Sequence, residues 1–318
     1  MTKPLVIAHQ LDADLVTLLK PGLPPDVELR ALPPALAWDV PDDATILIST
    51  PPRGGNVVVP ENAPARWPRG LQWVHSVSAG MDEYPQWIYG APAVTCGRGT
   101  NAVPISEFAI GNLLVVEKKL TEIWVRDAAD WKPRALGTLH GKTLGLIGYG
   151  NIGQAIAARA LPFGMKICAA RRSAAQEEAG AGIRFAGLDE VLAEADHLVI
   201  ALPLTSATAG LIGRAALAKV KPGVHLVNIS RGKILDHDAL VEALDDHRVG
   251  FATLDVTDPE PLPAGHPLYQ HPRVHLSPHI SWSDGRRGQS AMAFFKENLQ
   301  RFIAGQDLKG LVNPDLKY

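Results

Sequence analysis

Gly-Tyr-Gly-Asn-Ile-Gly at residues 148–153 follows directly on an apolar run at 143–147, and a helix-forming segment begins behind it at 154. In this strand–turn–helix setting the first glycine permits a tight turn, the second lets a pyrophosphate approach the backbone, and the third lets helix and strand pack closely. The helix N-terminus adds partial positive charge for the phosphates. We therefore predict a dinucleotide site, with cofactor-binding residues Gly148, Gly150, Asn151, Ile152 and Gly153.

The composition is that of a globular protein with a sizeable core. The chain has 318 residues, 46% of them hydrophobic, and a net charge of −2, which favour two domains and argue against nucleic acid or an anionic membrane as partner. Two cysteines, Cys96 and Cys168, make neither a disulfide framework nor a zinc cluster, and we predict no metal site. With no signal-peptide pattern and no long apolar run, we expect a cytoplasmic protein.

Strand-like runs alternate with helical patterns along much of the chain. This alternation predicts an α/β fold built on doubly wound parallel sheets. The strand-like runs lie at 5–8, 45–49, 71–75, 93–95, 143–148, 166–170, 197–201, 225–229, 252–256 and 274–277. Helical patterns between them include 188–195, 214–220 and 238–245. The proline-rich stretches 21–41 and 51–68 are interpreted as loops between short elements.

Two helical patterns indicate how the domains are connected. Pro104 opens a long pattern at 105–120 that can carry the chain from a first domain into a second, and the last pattern, 291–303, can return to the first. We therefore predict a Rossmann-like nucleotide domain inserted into a smaller, flavodoxin-like substrate domain, with the chemistry in a cleft between them. The predicted bounds are 99–287 for the nucleotide domain, and 1–98 completed by 288–318 for the substrate domain.

Basic residues follow the second strand of the nucleotide unit. After 166–170 come Arg171, Arg172 and Ser173, whereas NAD-binding proteins usually carry an Asp or Glu near this position for the ribose hydroxyls. Two guanidinium groups and a hydroxyl suit a 2′-phosphate. We predict NADP(H) as the preferred cofactor, with NAD(H) as the alternative.

Three charged residue types follow three buried strand patterns. Arg231 comes after the run ending at 230, Glu260 after the run ending at 256, and His279 after the run ending at 278. Ligands of doubly wound sheets bind outside the carboxyl ends of the strands, so these side chains are expected to converge there.

The three types together fit a site that reduces a 2-keto acid. Arg231 offers a planar fork for the carboxylate and the carbonyl, and His279 can donate a proton to the oxygen while hydride reaches the carbon. Glu260 can pair with the imidazole and fix its orientation. His271 and His275 compete for the histidine role, but the first lies in a loop before the strand and the second inside the strand.

With these segments in this order, nearly the whole chain resembles the D-isomer-specific 2-hydroxyacid dehydrogenase family. In character it is similar to the NADPH-preferring glyoxylate and hydroxypyruvate reductases. Four segments carry the resemblance, namely 76–82, 148–153, 228–232 and the series from 254–256 through 260–263 to 277–280. The resemblance implies an oxidoreductase with a nicotinamide cofactor.

The resemblance also implies residue roles. Arg231, Glu260 and His279 match the family's catalytic trio. Asp255 matches a residue that meets the nicotinamide carboxamide, and Pro203 a segment lining the cofactor. Ser78, Ala79 and Gly80 match the loop whose backbone N–H groups hold the substrate carboxylate. The family is typically dimeric through the nucleotide domain, so we expect a homodimer with Trp131 and the segment 120–137 in its interface.

Two positions depart from the family's usual pattern, and a third is open. Arg171 replaces the acid that the commonest members carry. Trp282 stands where a small residue is frequent; it either narrows the substrate pocket, stacks near the nicotinamide or packs under the next helix. Arg53 either reaches a substrate anion or is a solvated side chain.

The primary functional hypothesis is an NADPH-dependent reductase of small 2-keto acids such as glyoxylate and hydroxypyruvate. One alternative is an NAD-dependent dehydrogenase of a larger or phosphorylated 2-hydroxy acid. Another is a nucleotide-sensing, corepressor-like binding protein on the same fold. The presence of all three catalytic residue types disfavours the sensor.

Overall fold

The structure, a computed structural model, describes residues 4–51, 58–171, 182–286 and 288–318. The chain forms two compact units. Unit 1 comprises Met1–Asn101 and Asp284–Tyr318, and unit 2 is the continuous stretch Ala102–Ser283. The predicted nucleotide domain, 99–287, extends a few residues beyond unit 2 at each end. Arg53, Arg172 and Ser173 lie outside the described residues.

Strands and helices alternate along much of the described chain. The strands are β1 Leu5–His9, β2 Val27–Ala31, β3 Ile46–Ser49, β4 Trp73–Ser76, β5 Ala93–Cys96, β6 Thr143–Ile147, β7 Lys166–Ala170, β8 Ile183–Phe185, β9 His197–Ile200, β10 Val224–Asn228, β11 Val249–Leu254 and β12 Val274–Leu276. The helices are α1 Ala13–Leu19, α2 Ala102–Glu117, α3 Asn151–Ala160, α4 Leu188–Glu194, α5 Arg214–Leu217, α6 His237–Asp245 and α7 Gln289–Ile303. None of the described helices is both long and apolar enough to cross a membrane.

Unit 1 is built on a five-stranded parallel sheet in the order β2-β1-β3-β4-β5. Every residue of β3 and β4 is buried, as expected for central strands covered on both faces. The C-terminal helix α7 packs with α1 and closes one face, where Phe295 stacks on Trp73 with ring centroids 5.0 Å apart. The last helix therefore belongs to the same core as the first strands.

Unit 2 is built on a seven-stranded parallel sheet in the order β12-β11-β10-β9-β6-β7-β8. The chain runs outward from β6 to β8 and then returns to the other side of β6 with β9. The order reverses between β6 and β9, which makes this the topological switch point where doubly wound sheets bind ligands. The parallel α/β class predicted from the sequence is confirmed.

Two edge strands are missing from the sequence prediction. The proline-rich stretch 21–41 contains β2, and β8 forms the edge of the second sheet. Both are short, and neither contains a fully buried residue. A half-exposed edge strand lacks the continuous apolar run that reveals a central one.

The long helix α2 begins three residues earlier than the pattern 105–120 suggests. Pro104 is thereby its third residue. A proline in the first turn costs little, because the backbone N–H that it lacks has no acceptor within the helix.

Candidate active site

The glycine loop of unit 2 leaves the sheet at the switch point. Gly148, directly after β6, has φ = +107°, and a Cβ there would lie 2.6 Å from the carbonyl oxygen of Ala201 behind β9. A Cβ at Gly153 would collide with the carbonyl of Gly148. These two glycines are therefore required by backbone conformation and by the packing of α3 against the end of β6.

Gly150 differs from its two neighbours. It precedes α3 with no side-chain cap, and a Cβ built on it meets no described atom within 4 Å. The first-turn N–H groups of a helix lack acceptors within the helix, so they can bind an anion placed at that end. The loop therefore fits a pyrophosphate, and the open space at Gly150 is where a side chain would obstruct it.

Replacing Gly150 with valine is expected to weaken nucleotide binding by about tenfold or more while leaving the melting temperature nearly unchanged, because the new side chain occupies ligand space rather than protein space. Nucleotide titration followed by fluorescence, with a parallel thermal melt, checks this. Gly187→Val is the matched control, because Gly187 likewise precedes a helix with open space around its Cα. Unchanged affinity in the Gly150 variant would contradict the assignment.

Arg171 follows β7 and lies on an aromatic ring. Its Cζ is 4.0 Å from the ring centroid of Phe185, the last residue of β8. That ring in turn meets Tyr149 of the glycine loop edge to face, with centroids 5.1 Å apart. The three side chains are in continuous contact, so the guanidinium is held by a cation–π contact near the glycine loop.

Asp255 anchors the loop that follows β12. The residue is 1% exposed. Its Oδ1 accepts hydrogen bonds from Oγ of Ser277 at 2.7 Å and N of Ile280 at 2.9 Å, and its Oδ2 accepts one from N of Ser281 at 3.0 Å. Its carbonyl oxygen accepts from N of His279 at 2.8 Å. A buried carboxylate at the end of β11 therefore fixes the backbone of the neighbouring loop.

His279 has an uncommon backbone conformation, with φ = +54°. For a residue other than glycine this costs on the order of 1–3 kcal/mol and persists only where surrounding contacts impose it. Nδ1 of His279 lies 2.9 Å from Oε2 of Glu260. With Nδ1 directed at the carboxylate, Nε2 is the ring nitrogen that can meet a substrate oxygen.

Glu260 is itself held by its own loop. Its Oε1 accepts a hydrogen bond of 3.2 Å from N of Thr257. The side chains of Glu260 and His279 are 34% and 21% exposed, respectively. The pair is therefore open enough for a ligand to reach and fixed enough to hold a proton at a defined position.

Arg231 follows β10 on a segment tied down by a buried amide. Asn228, the last residue of β10, donates from Nδ2 to the carbonyl of Arg231 at 3.1 Å and accepts from N of Ser230 at 3.1 Å. Nη1 of Arg231 donates to the carbonyl of Ser230 at 2.8 Å. A Cβ at Gly232 would collide with the backbone of Thr257, so the loops after β10 and β11 are in direct contact. The arginine and the glutamate thus lie on abutting loops.

Trp282 forms a hydrogen bond within the loop that contains His279. Its Nε1 donates to the carbonyl oxygen of His279 at 2.7 Å, and the residue is 46% exposed. Packing of the indole under the next helix, one of the three alternatives, does not fit this exposure. Its neighbour Ser281 is buried.

Pro203 lies in the segment that leaves β9 beside the glycine loop. It is exposed, and its carbonyl accepts a hydrogen bond from Oγ1 of Thr208 at 2.7 Å. Oγ of Ser230 donates to the carbonyl of Leu202 in the same segment. The predicted cofactor-lining segment is therefore connected to the arginine loop.

In unit 1, the loop after β4 contains the predicted carboxylate-binding residues. N of Ser78 donates to Oγ of Ser76 at 3.3 Å, and N of Gly80 donates to Oγ of Ser78 at 3.2 Å. N of Gly97 donates to the carbonyls of Ser76 and Ser78. Ala79 is exposed, and within the described residues its N–H has no hydrogen-bond acceptor. Ala79 therefore offers the loop's available donor for an anion.

A buried tyrosine supports this loop from below. The hydroxyl of Tyr84 donates to Oγ of Ser76 at 3.1 Å and lies 3.1 Å from Oγ of Ser49. Burial raises the pKa of Tyr84 to about 12, so the phenol stays protonated and remains a donor.

The two competing histidines lie in other surroundings. His271 accepts from N of Arg273 at 3.2 Å, and its Nε2 is 3.5 Å from Oδ1 of Asp245. The ring of His275 packs on Phe251 with centroids 4.7 Å apart, and burial lowers its pKa. Among the three histidines, the structure places His279 beside Glu260.

Sequence reasoning missed a buried chain of polar groups at the amino edge of the same sheet. His197 Nε2 lies 3.0 Å from Glu117 Oε1, and its Nδ1 lies 3.2 Å from Nδ1 of His225. Nε2 of His225 lies 3.0 Å from Oγ1 of Thr253, and burial lowers the pKa of His225 well below its ordinary value. Glu117 and both histidines line a cavity of about 320 Å³. The two histidines lie within apolar strand runs, which indicate ordinary core positions.

The model of the D-isomer specific 2-hydroxyacid dehydrogenase family, NAD binding domain, matches residues 111–281, which is more than half of the chain. The chain belongs to this family. The matched range contains the glycine loop and all three residues of the predicted trio. The protein is accordingly an oxidoreductase of the two-domain α/β type with a Rossmann nucleotide domain.

Named relatives extend the similarity beyond the nucleotide domain. Glyoxylate/hydroxypyruvate reductase B of Pectobacterium atrosepticum is 39% identical over 220 residues, covering 67% of this chain and 69% of that protein. Glyoxylate reductase of Thermococcus gammatolerans is 37% identical over 230 residues, covering 68% and 67%. A solved D-isomer specific 2-hydroxyacid dehydrogenase family protein from Aeromonas salmonicida has a TM-score of 0.81 at 29% identity, covering 99% of this chain and 100% of that chain.

Proposed function

We propose that the protein reduces small 2-keto acids of the glyoxylate and hydroxypyruvate type to D-2-hydroxy acids, with NADPH as its preferred hydride donor. The observation that carries the proposal is the pairing of Nδ1 of His279 with Oε2 of Glu260 at 2.9 Å. This pair lies on the loops at the carboxyl edge of the sheet, as does Arg231. The names of the relatives in Pectobacterium and Thermococcus support the choice of substrate.

When bound at the glycine loop, NADPH would supply the hydride that reaches C2 of the substrate. Arg231 binds the carboxylate and polarises the carbonyl with its planar fork. His279 gives the proton on Nε2 to the carbonyl oxygen, and Glu260 holds the ring in the orientation that donation needs. The reaction balances without a further reactant, because one hydride and one proton convert the carbonyl group at C2 to an alcohol.

Substrate binding is assigned to two sets of residues. We propose that Ser78, Ala79 and Gly80 hold the substrate carboxylate with their loop, supported by the exposed N–H of Ala79. Trp282 is proposed to border the substrate side, because its indole is half exposed beside the loop of His279, and its ring is expected to add little to substrate affinity. We also propose that the reaction takes place in the cytoplasm, because both the substrate acid and the nucleotide cofactor dissolve in water.

The proposed cofactor residues are the glycine loop, Pro203, Asp255 and Arg171, with Arg172 and Ser173 retained from the sequence. NADPH is preferred because Arg171 occupies the position after the second strand at which NAD-binding proteins usually carry an acid. Its guanidinium is held on the ring of Phe185 and can pair with a 2′-phosphate. Both oxygens of Asp255 already accept loop donors, so contact with a carboxamide would use the remaining acceptor capacity of the carboxylate.

Replacing Arg171 with aspartate is expected to shift the ratio of kcat/KM for NADPH over NADH toward NADH by about 10- to 100-fold, because a charge-assisted bond to the 2′-phosphate is lost and a repulsive charge replaces it. Steady-state kinetics with both cofactors measures the ratio. Arg214→Asp, at an exposed position paired with Glu242, changes the net charge equally and should leave the ratio unaltered. A constant ratio in both variants would mean that other residues read the phosphate.

The function is tested by initial rates of NADPH and NADH oxidation with glyoxylate, hydroxypyruvate, pyruvate and phenylpyruvate. Fastest oxidation of NADPH with the two small oxygenated acids supports the proposal. Preference for NADH or for a larger acid would instead favour the NAD-dependent dehydrogenase, and tight nucleotide binding without turnover would favour the sensor.

We further propose a homodimer formed through unit 2. The support is the exposure of the segment after α2, in which Trp124 and Trp131 are 70% and 81% exposed. Large indoles concentrated on one exposed segment are typical of an interaction surface. Sedimentation of the purified protein as a monomer would contradict this.

A further inference from the structure

We propose that Trp282 is a positioning residue whose indole N–H holds the backbone of His279, so that the proton donor keeps its reactive orientation. This inference rests on the proposed function for the reaction and assigns a role to a side chain at which this chain departs from the usual small residue. It replaces contact between the ring and substrate as the main contribution of Trp282.

The first observation is the direction of the indole. Nε1 of Trp282 donates to the carbonyl oxygen of His279 at 2.7 Å, a short bond across three residues of one loop. The bond therefore constrains the main chain of the histidine, and the ring remains at the surface with the residue 46% exposed. A tryptophan that served only to fill space would bury its ring rather than leave it half exposed.

The second observation is the backbone that the bond acts on. His279 has φ = +54°, a conformation that a residue other than glycine rarely adopts unless its neighbours impose it. Its N–H is directed at the carbonyls of Asp255 and Ser277, at 2.8 Å and 3.0 Å. The indole N–H of Trp282 donates to the carbonyl oxygen of the same histidine. The two peptide groups of the histidine are thus held from opposite ends.

The consequence concerns the position of the imidazole. Asp255 fixes the loop through the N–H groups of Ile280 and Ser281, which lie after the histidine. Without the indole, the peptide between His279 and Ile280 keeps the bond from its N–H to Asp255 but loses the bond at its carbonyl. The main chain of His279 then gains freedom, and the ring can shift relative to Glu260. A displacement of about 1 Å in a reacting group can cost about a hundredfold in rate.

Two substitutions separate the N–H from the ring. Trp282→Phe keeps an aromatic ring and removes the donor, whereas Trp282→Leu removes both. We expect each to lower kcat by about 10- to 100-fold for glyoxylate and hydroxypyruvate alike, with the KM for the acid and the Kd for NADPH changed by less than about threefold. Trp87→Phe is the matched control, because its indole also donates to a carbonyl, that of Pro60 at 3.1 Å, within unit 1. It should retain the wild-type kcat.

A wild-type kcat in Trp282→Phe would overturn the inference. So would a variant whose main defect is a raised KM that differs between the two acids, because that pattern marks direct contact between ring and substrate. Amide exchange gives a second readout that needs no turnover: the peptide covering 277–283 should exchange faster in Trp282→Phe and not in Trp87→Phe. If the wild-type protein reduces no 2-keto acid, the proposed function fails, while unchanged exchange in Trp282→Phe would still overturn the positioning role.

Discussion

Replacing Arg231 with alanine is expected to abolish turnover, with kcat/KM for any accepted 2-keto acid reduced by about a thousandfold or more. Two effects of the guanidinium are lost together. The fork no longer binds the carboxylate, and no fixed cation polarises the carbonyl in the transition state. Removal of one preorganised donor to a developing oxyanion typically costs about 10²- to 10³-fold, and Arg231 supplies more than one.

Cofactor binding should survive this change. The glycine loop leaves β6, whereas Arg231 follows β10, two strands away across β9. Nucleotide affinity, measured by fluorescence titration, is therefore expected to match that of the wild type. Arg214→Ala serves as the control in the same unit, because this arginine is exposed and paired only with Glu242 among the described partners. Near-normal rates in Arg231→Ala would remove it from the site.

Replacing His279 with alanine is expected to lower kcat by about 10²- to 10⁴-fold, which is the usual contribution of a positioned general acid. The proton must then come from water, which is not held beside the carbonyl oxygen by Glu260. The dependence of kcat on pH should also lose the limb that reports the acid group, since no protein side chain titrates in its place. Rates over a pH series measure both effects.

The histidine experiment has a built-in comparison. His271→Ala removes an imidazole from the same region of the sequence, and that ring lies beside Asp245 rather than Glu260. It should leave both rate and pH profile unchanged. If His279→Ala kept the wild-type pH profile, the proton donor would have to be sought among other groups.

The placement of the three candidate catalytic residues at one edge of the sheet was predictable because each segment has a strong local signal. The buried strands β10 and β11 and the short strand β12 precede Arg231, Glu260 and His279, and parallel strands bring their carboxyl ends to one edge. The glycine loop was equally clear, since its first and third glycines are required by backbone geometry. Periodicity and turn residues carry this information within a few positions of the site.

The contacts within the site were not predictable, because they join residues that are distant in the sequence through backbone groups. Asp255 was assigned to the nicotinamide, and nothing in its neighbours indicates that its carboxylate receives N–H groups 25 and 26 residues further along. The bond from Trp282 to the carbonyl of His279 depends on a positive φ that residue types do not reveal. Both contacts, that of Asp255 and that of Trp282, depend on the conformation of the main chain.

The positions of edge strands were also difficult to predict from the sequence. The central strand β3, Ile-Leu-Ile-Ser, is entirely buried and stands out as an apolar run, whereas β2 consists of half-buried and exposed residues between prolines. Edge strands such as β2 are stabilised by pairing with a neighbouring strand, and their own sequences do not reveal that pairing.

The anchoring of the histidine loop by Asp255 has an evolutionary consequence. The carboxylate contacts the peptide N–H groups of Ile280 and Ser281 and not their side chains. Nearly any amino acid other than proline can present the same N–H, so mutation can sample many residues at these two positions without moving the proton donor. Asp255 has no such freedom, because a shorter, longer or neutral side chain would lose the geometry or the charge. Across homologues we therefore expect the residues of the loop to vary while the acid at the end of the neighbouring strand is invariant. Substrate specificity could then change during evolution without loss of the catalytic reaction.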